Sequence, residues 1–170
     1  MIVWKLASME RSFSEWFAQK ALTVDSVLTE LLYRYEREVN RSQRSFIKQL
    51  LEHDESSTRH VVLCISSLNP LPLISSPSSS SSSSPCIELT DGWYRVKAAL
   101  DPTLQIHLES GKLFVGQKLR VFGATLIGST EPSPPLDAYP SAALQLSING
   151  TRMVSLLTLS CFFFFSCSFD

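Results

Sequence analysis

The 170 residues carry 15 Lys and Arg against 16 Asp and Glu, a formal net charge of −1, and 44% of them are apolar. That length holds one domain, or a small domain with part of a second, and a near-zero charge supplies no global field for a polyanion, so nucleic-acid binding must rest on a local basic patch. Four cysteines (Cys64, Cys86, Cys161, Cys167) without a C-x-x-C pair, and three scattered histidines (His53, His60, His107), argue against a zinc site; no metal or cofactor is expected.

Residues 1–20 place Ile2, Val3, Leu6, Met9, Phe13, Trp16 and Phe17 at mostly three- and four-residue spacings, one apolar helical stripe. MIVWKLA is too short for a secretory core, so the thiols are expected to be free in a reducing compartment. Thr23 or Asp25 can cap a second helix, in which Val24, Val27, Leu28, Leu31, Leu32, Tyr35 and Val39 are expected to form one buried face and Glu30, Arg34, Arg37 and Glu38 the solvent face. After a break at 40–43, Phe46, Ile47, Leu50 and Leu51 resume the helical period. Residues 1–55 are therefore predicted to be helical.

The texture changes at His60. HVVLCIS is short and β-branched and predicts a strand. The serine- and proline-rich stretch at 69–85 has too few apolar anchors to offset the entropy of ordering it and predicts a flexible loop. Asp91-Gly92 between alternating apolar residues predicts a two-residue hairpin, with Leu89 opposite Tyr94, Glu88 opposite Arg95 and Ile87 opposite Val96. Ile87, Leu89, Tyr94, Val96 and Ala98 then share the core face. Trp93, Arg95 and Lys97 share the exposed one, and Glu88 pairs with Arg95 across the strands. Asp101, Pro102 and Gly111 bracket a short helix. GQKLRVFGATLIG is a strand with a bend at Gly123 and with Lys118, Arg120 and Phe122 on one face; ALQLSING is the last strand.

Five strands with a short helix between the third and fourth, after a helical segment, is an α+β arrangement whose second part has the order of an OB-fold, a Greek-key β-barrel. Such barrels bind single strands by a basic groove and stacking aromatics. Trp93, Arg95, Lys97, Lys118 and Arg120 have the residue types for it. They equally suit protein docking, and the residues leave the two open. The chain shows no P-loop, no G-x-S-x-G elbow and no carboxylate pair beside a histidine, so no enzyme is expected; Cys64 reads as core.

VWKLASMERSF, VLTELLYRYEREVNRSQRSFIKQLLEHD, IELTDGWYRVKAALDP and GKLFVGQKLRVFGATLIGS resemble, in that order, the breast cancer type 2 susceptibility protein family. The likeness covers roughly residues 1–152, the end of that family's helical domain (1–55) and its first OB domain (56–152). It implies a nuclear role in double-strand break repair by homologous recombination. It also implies single-stranded DNA and a small acidic partner protein as ligands, with a RecA-like recombinase bound only through regions not found here. Nothing resembles the family's recombinase-binding repeats or its later OB domains, and the uncapped stripe at Ile2 reads as the interior of a larger unit. Residues 153–170, MVSLLTLSCFFFFSCSFD, fall outside the likeness. Their serines weaken a membrane anchor; Phe, Ser, Leu and Cys are residue types encoded largely by T-rich codons, and Val154-Ser155 can be written GTA AGT, a splice-donor-like sequence, so a translated intron is the expectation.

Overall fold

The computed structural model describes residues 1–12, 14–17, 20–68 and 86–154; the expected loop at 69–85 and the tail from 155 lie outside them. No helix among the described residues is long and apolar enough to cross a membrane. The chain divides into two compact units that part between Ser45 and Phe46.

In the first unit, α1 (Ile2–Ser12) and the short α2 (Ser14–Phe17) precede α3 (Val24–Tyr35). Thr23 caps α3, its Oγ1 accepting the Ser26 N–H at 3.2 Å, as the capping pattern predicts. After Tyr35 the helix widens into one π-type turn, Glu36–Asn40. The burial of α3 corrects the expectation. Val24, Leu28, Leu31, Leu32, Tyr35 and Val39 are exposed, whereas the side chains of Glu30 and Arg34 retain only 17% and 13% exposure. Electrostatics supplies the reason: Lys5 of α1 donates to Glu30 Oε1 at 2.7 Å, and Arg34 lies 3.8 Å from the same oxygen. The helix therefore turns its charged side to α1.

The second unit begins with α4 (Phe46–Leu51), which falls within the segment 1–55 assigned to the helical part from its period. Its Ile47, Leu50 and Leu51 are buried in the barrel core with Leu63, Ile65, Ile87, Leu89 and Val96. Seven strand segments follow: β1 (Val61–Ser67), β2 (Cys86–Thr90), β3 (Arg95–Leu100), β4 (Lys118–Val121), β5 (Thr125–Ile127), β6 (Ala143–Leu146) and β7 (Thr151–Val154). Helix α5 (Pro102–Glu109) lies between β3 and β4, and α6 (Pro135–Ala138) between β5 and β6.

Among the described residues seven segments stand where five strands are expected, because one is bent in two and one more follows the last. Gly123, at φ 63°, bends the fourth into β4 and β5, while the expected last strand, ALQLSING, is extended only over β6 and ends in the turn at 147–150, with β7 an additional strand beyond it. The pairing order β5-β6-β3-β2-β1-β4-β7 is then a ring, since β4 and β5 are one bent strand. Among the described residues only the pairing of β3 with β6 is parallel. This is the OB barrel that the strand order predicts. Met153 and Val154, the first two residues of the expected tail, belong to β7, opposite Leu119 and Lys118.

Polar staples hold the turns. Asp101 caps α5 through Oδ1, which accepts the Leu104 N–H at 2.7 Å, while Oδ2 accepts the Ile148 N–H at 2.7 Å from the β6–β7 turn. Asp91 does more. Its Oδ1 accepts the N–H groups of Trp93 (2.9 Å) and Tyr94 (3.0 Å), and its Oδ2 accepts that of Ile47 in the first turn of α4 (2.9 Å). The loop thus spans Asp91–Tyr94, four residues where the Asp-Gly pair predicts two. Thr90 faces Arg95, Leu89 faces Val96, Glu88 faces Lys97 and Ile87 faces Ala98. That offset of two corrects the expected register and preserves the faces, because side chains alternate with period two.

Asp91→Ala is expected to lower stability by about 2–4 kcal/mol, since three backbone donors lose a charged acceptor. Asp91→Asn should recover part of it, its amide nitrogen having to face one donor set; urea unfolding of both variants checks this. Gly150→Ala is expected to cost about 1–3 kcal/mol. A Cβ there would stand 2.3 Å from the Phe122 carbonyl oxygen, across the junction that joins β4 to the β7 turn. A melting temperature equal to wild type would contradict it.

Candidate nucleic-acid interface

The five basic and aromatic residues singled out from the sequence divide into two groups. Arg95 and Lys97 alternate with core residues on β3, opposite β2, and Trp93 lies half-buried in the turn. Lys118 and Arg120 alternate on β4, on the other side of β1.

On the β2–β3 side the centre is Glu88, buried although acidic. The Ser66 hydroxyl donates to its Oε2 at 3.0 Å, from the residue where β1 bulges against β2. The Tyr139 hydroxyl donates to its Oε1, and the Arg95 guanidinium stands 3.5 Å from that oxygen. Arg95 also lies over the Tyr139 ring, 4.5 Å from the centroid. The expected Glu88–Arg95 pair thus forms, but diagonally, because the longer loop puts Lys97 opposite Glu88.

Lys97 corrects the expectation of an exposed set. It retains only 2% exposure, its ammonium donating to the Pro140 carbonyl at 3.3 Å and lying 5.3 Å from the centre of the Tyr139 ring. The segment after α6 covers it. Burial raises the Tyr139 phenol to about 12, with the hydrogen bond to Glu88 and its negative charge adding to the effect and Arg95 opposing it. Arg95 keeps half its side-chain surface exposed while bound on two sides. This cluster fastens the α6 loop to the barrel, and its cations face an internal acid and an internal ring.

Lys118 is a second correction: it is buried, opposite Cys64 on β1. Cys64 is core, as expected, and desolvation raises its thiol to about 11, with Lys118 opposing. Arg120 is exposed, with Val62 of β1 on one side and Arg152 of β7 on the other. Arg152 carries no local sequence signal; only the β4–β7 register, joining residues far apart in the chain, brings it to this face. Glu88 and Tyr139 likewise meet across 51 positions. Among the described residues no group of three or more His, Cys, Asp and Glu side chains could hold a metal.

The helices and barrel coincide with two known domains. Residues 1–42 match the family described as BRCA2, helical, and residues 45–158 match BRCA2, oligonucleotide/oligosaccharide-binding, domain 1. The chain belongs to the BRCA2 family. Protein BREAST CANCER SUSCEPTIBILITY 2 homolog A of Arabidopsis thaliana is 48% identical over 155 residues, 88% of this chain and 14% of the relative. Homolog B of the same plant is 47% identical over 155 residues, 88% of this chain and 13% of the relative. The chain therefore spans about a seventh of the BRCA2 relatives it matches, and the matched piece contains the Glu88 cluster and the Arg120 face alike.

The phenol gives a pH test. Tyr139 titrates higher in the folded chain than its ordinary value near 10, so the folded state holds that proton more tightly. Stability should be full below pH 10 and decline as pH rises towards 12. Tyr139→Phe should show a shallower decline over that range in urea unfolding; an unchanged slope would dissociate the phenol from the effect.

Proposed function

We propose that this chain is a module of a recombination mediator, working in the nucleus in double-strand break repair by homologous recombination and contacting single-stranded DNA through its OB barrel. The observation that carries the proposal is the joint match of the helical and first OB domains of the BRCA2 family, in order, over most of the chain. The barrel supports it with exposed basic and aromatic side chains on a fold that tracks single strands elsewhere.

One observation favours a second reading, docking of a small acidic protein. Arg95 and Lys97 already have partners in Glu88, Tyr139 and Pro140, which leaves the hairpin face short of free cations for phosphates. On this reading the module positions a partner, and DNA is held elsewhere in the longer protein.

Fluorescence anisotropy of a labelled single-stranded oligonucleotide with the full chain, across a salt series, separates the two. DNA contact predicts binding that weakens steeply with salt. A folded chain that ignores the oligonucleotide but binds an acidic peptide would establish the docking reading instead.

A further inference from the structure

The outer face of β1, β4 and β7 sets two arginines opposite each other. Arg120 of β4 is directly opposite Arg152 of β7, and both are exposed. Directly opposed residues on one face of an antiparallel pair have Cβ atoms about 4.5–5.5 Å apart, and like charges there repel. Neither guanidinium makes an ion pair among the described residues. Nor could a nearby acid on these strands provide one: residues 60–68, 110–130 and 138–154 contain no Asp or Glu. A sheet that sets two arginines side by side without a carboxylate carries a repulsion that a bound anion would relieve.

The same face carries an aromatic platform. Phe122 follows Arg120 by two residues, and its N–H continues the β4–β7 ladder to the Gly150 carbonyl at 2.9 Å, so it stands on the arginine side. His60, just before β1, stacks on Phe122 with centroids 5.0 Å apart at 30°. Both rings are partly or fully open to solvent, and Val62 beside Arg120 is also exposed. Paired guanidinium groups next to an open ring stack match a nucleotide unit, with phosphate on the arginines and a base against the ring. An acidic peptide would use the charges and leave the rings idle.

We infer that the β1–β4–β7 face, through Arg120, Arg152 and the His60–Phe122 stack, is a binding site for single-stranded nucleic acid, separate from the hairpin face that carries Arg95 and Lys97. It rests on the DNA-contacting reading above and assigns that contact to a different side of the barrel.

The test compares Arg120→Gln/Arg152→Gln with Arg11→Gln/Lys20→Gln, which removes two exposed cations from the helical unit, in the full chain against a labelled oligothymidylate. Circular dichroism and melting verify that each variant folds. The Arg120/Arg152 variant should bind at least tenfold more weakly. Its slope of log K against log salt should fall by about 1.4, at ~0.7 per phosphate contact for a single strand. The control should match wild type. Photo-crosslinking of the wild-type chain to a 4-thiothymidine oligonucleotide should label the peptides holding His60 and Phe122, a readout independent of variant folding. Wild-type affinity in the Arg120/Arg152 variant, or crosslinks confined to the Trp93–Lys97 hairpin, would overturn the assignment and leave DNA contact by the barrel standing. No binding by the wild type would overturn both. Equal losses towards oligothymidylate and a polyglutamate peptide, with no crosslink to the rings, would make this a face for acidic protein.

Discussion

The barrel depends on one carboxylate. Asp91 sits at the tip of the β2–β3 hairpin, yet one of its oxygens binds the first turn of α4, 44 residues earlier. The N–H groups of a helix's first turn have no partners within the helix, and a carboxylate there also meets the positive end of its dipole. Here that partner comes from a distant loop, so the hairpin cannot move without carrying the helix. Ile47, Leu50 and Leu51, fully buried, enter the barrel core at the angle this bond sets. The other oxygen closes the loop itself, with the Thr90 hydroxyl donating to the Tyr94 carbonyl and accepting the Gly92 N–H. One side chain thus ties together the loop, the hairpin tip and the first turn of α4.

Asp101 applies the same device on a second turn. A cap used only for its own helix would need one oxygen; the second reaches the N–H of Ile148, in the turn where β6 gives way to β7. The break at that turn matters because it lets β6 pair with β5 and β3 while β7 pairs with β4. Gly123 on the opposing strand bends at the same level. The barrel closes where both strands bend together, and the close approach of Gly150 to the Phe122 carbonyl leaves no room for a side chain there.

Features encoded within a few residues were legible: the Thr23 and Asp101 caps, the β-branched first strand, the inward alternation of Ile87, Leu89, Val96 and Ala98, and the bend at Gly123. The strand order was enough to name the barrel. What escaped was set by long-range contacts. An Asp-Gly pair favours a two-residue turn, but nothing adjacent reveals that Ile47 will claim one carboxylate oxygen and that the loop will lengthen. The amphipathic pattern of α3 indicated which residues are apolar, while the Lys5–Glu30 pair decided which side met α1. Lys97 and Lys118 looked solvent-bound because lysine usually is. Their burial follows from the α6 segment in one case and from the position opposite Cys64 in the other. Arg152 fell at the margin of the recognisable sequence, and only strand pairing gives it meaning.

A net charge of −1 conceals how unevenly the barrel is charged. On the hairpin side a buried acid is surrounded by two cations, a phenol and a hydroxyl, so its far field is small and its role is to hold the α6 loop against the strands. On the β4–β7 side residues 60–68, 110–130 and 138–154 contain no acid, and Arg120 and Arg152 are exposed there. Fields from separated groups add, and a region with one sign of charge attracts a polyanion whatever the total charge of the chain. The basic residues of the barrel therefore differ in setting: Arg95 and Lys97 hold the α6 loop, whereas Arg120 and Arg152 are exposed on the β4–β7 face. Counting basic residues along the strands cannot separate the sets. The position of the nearest carboxylate does.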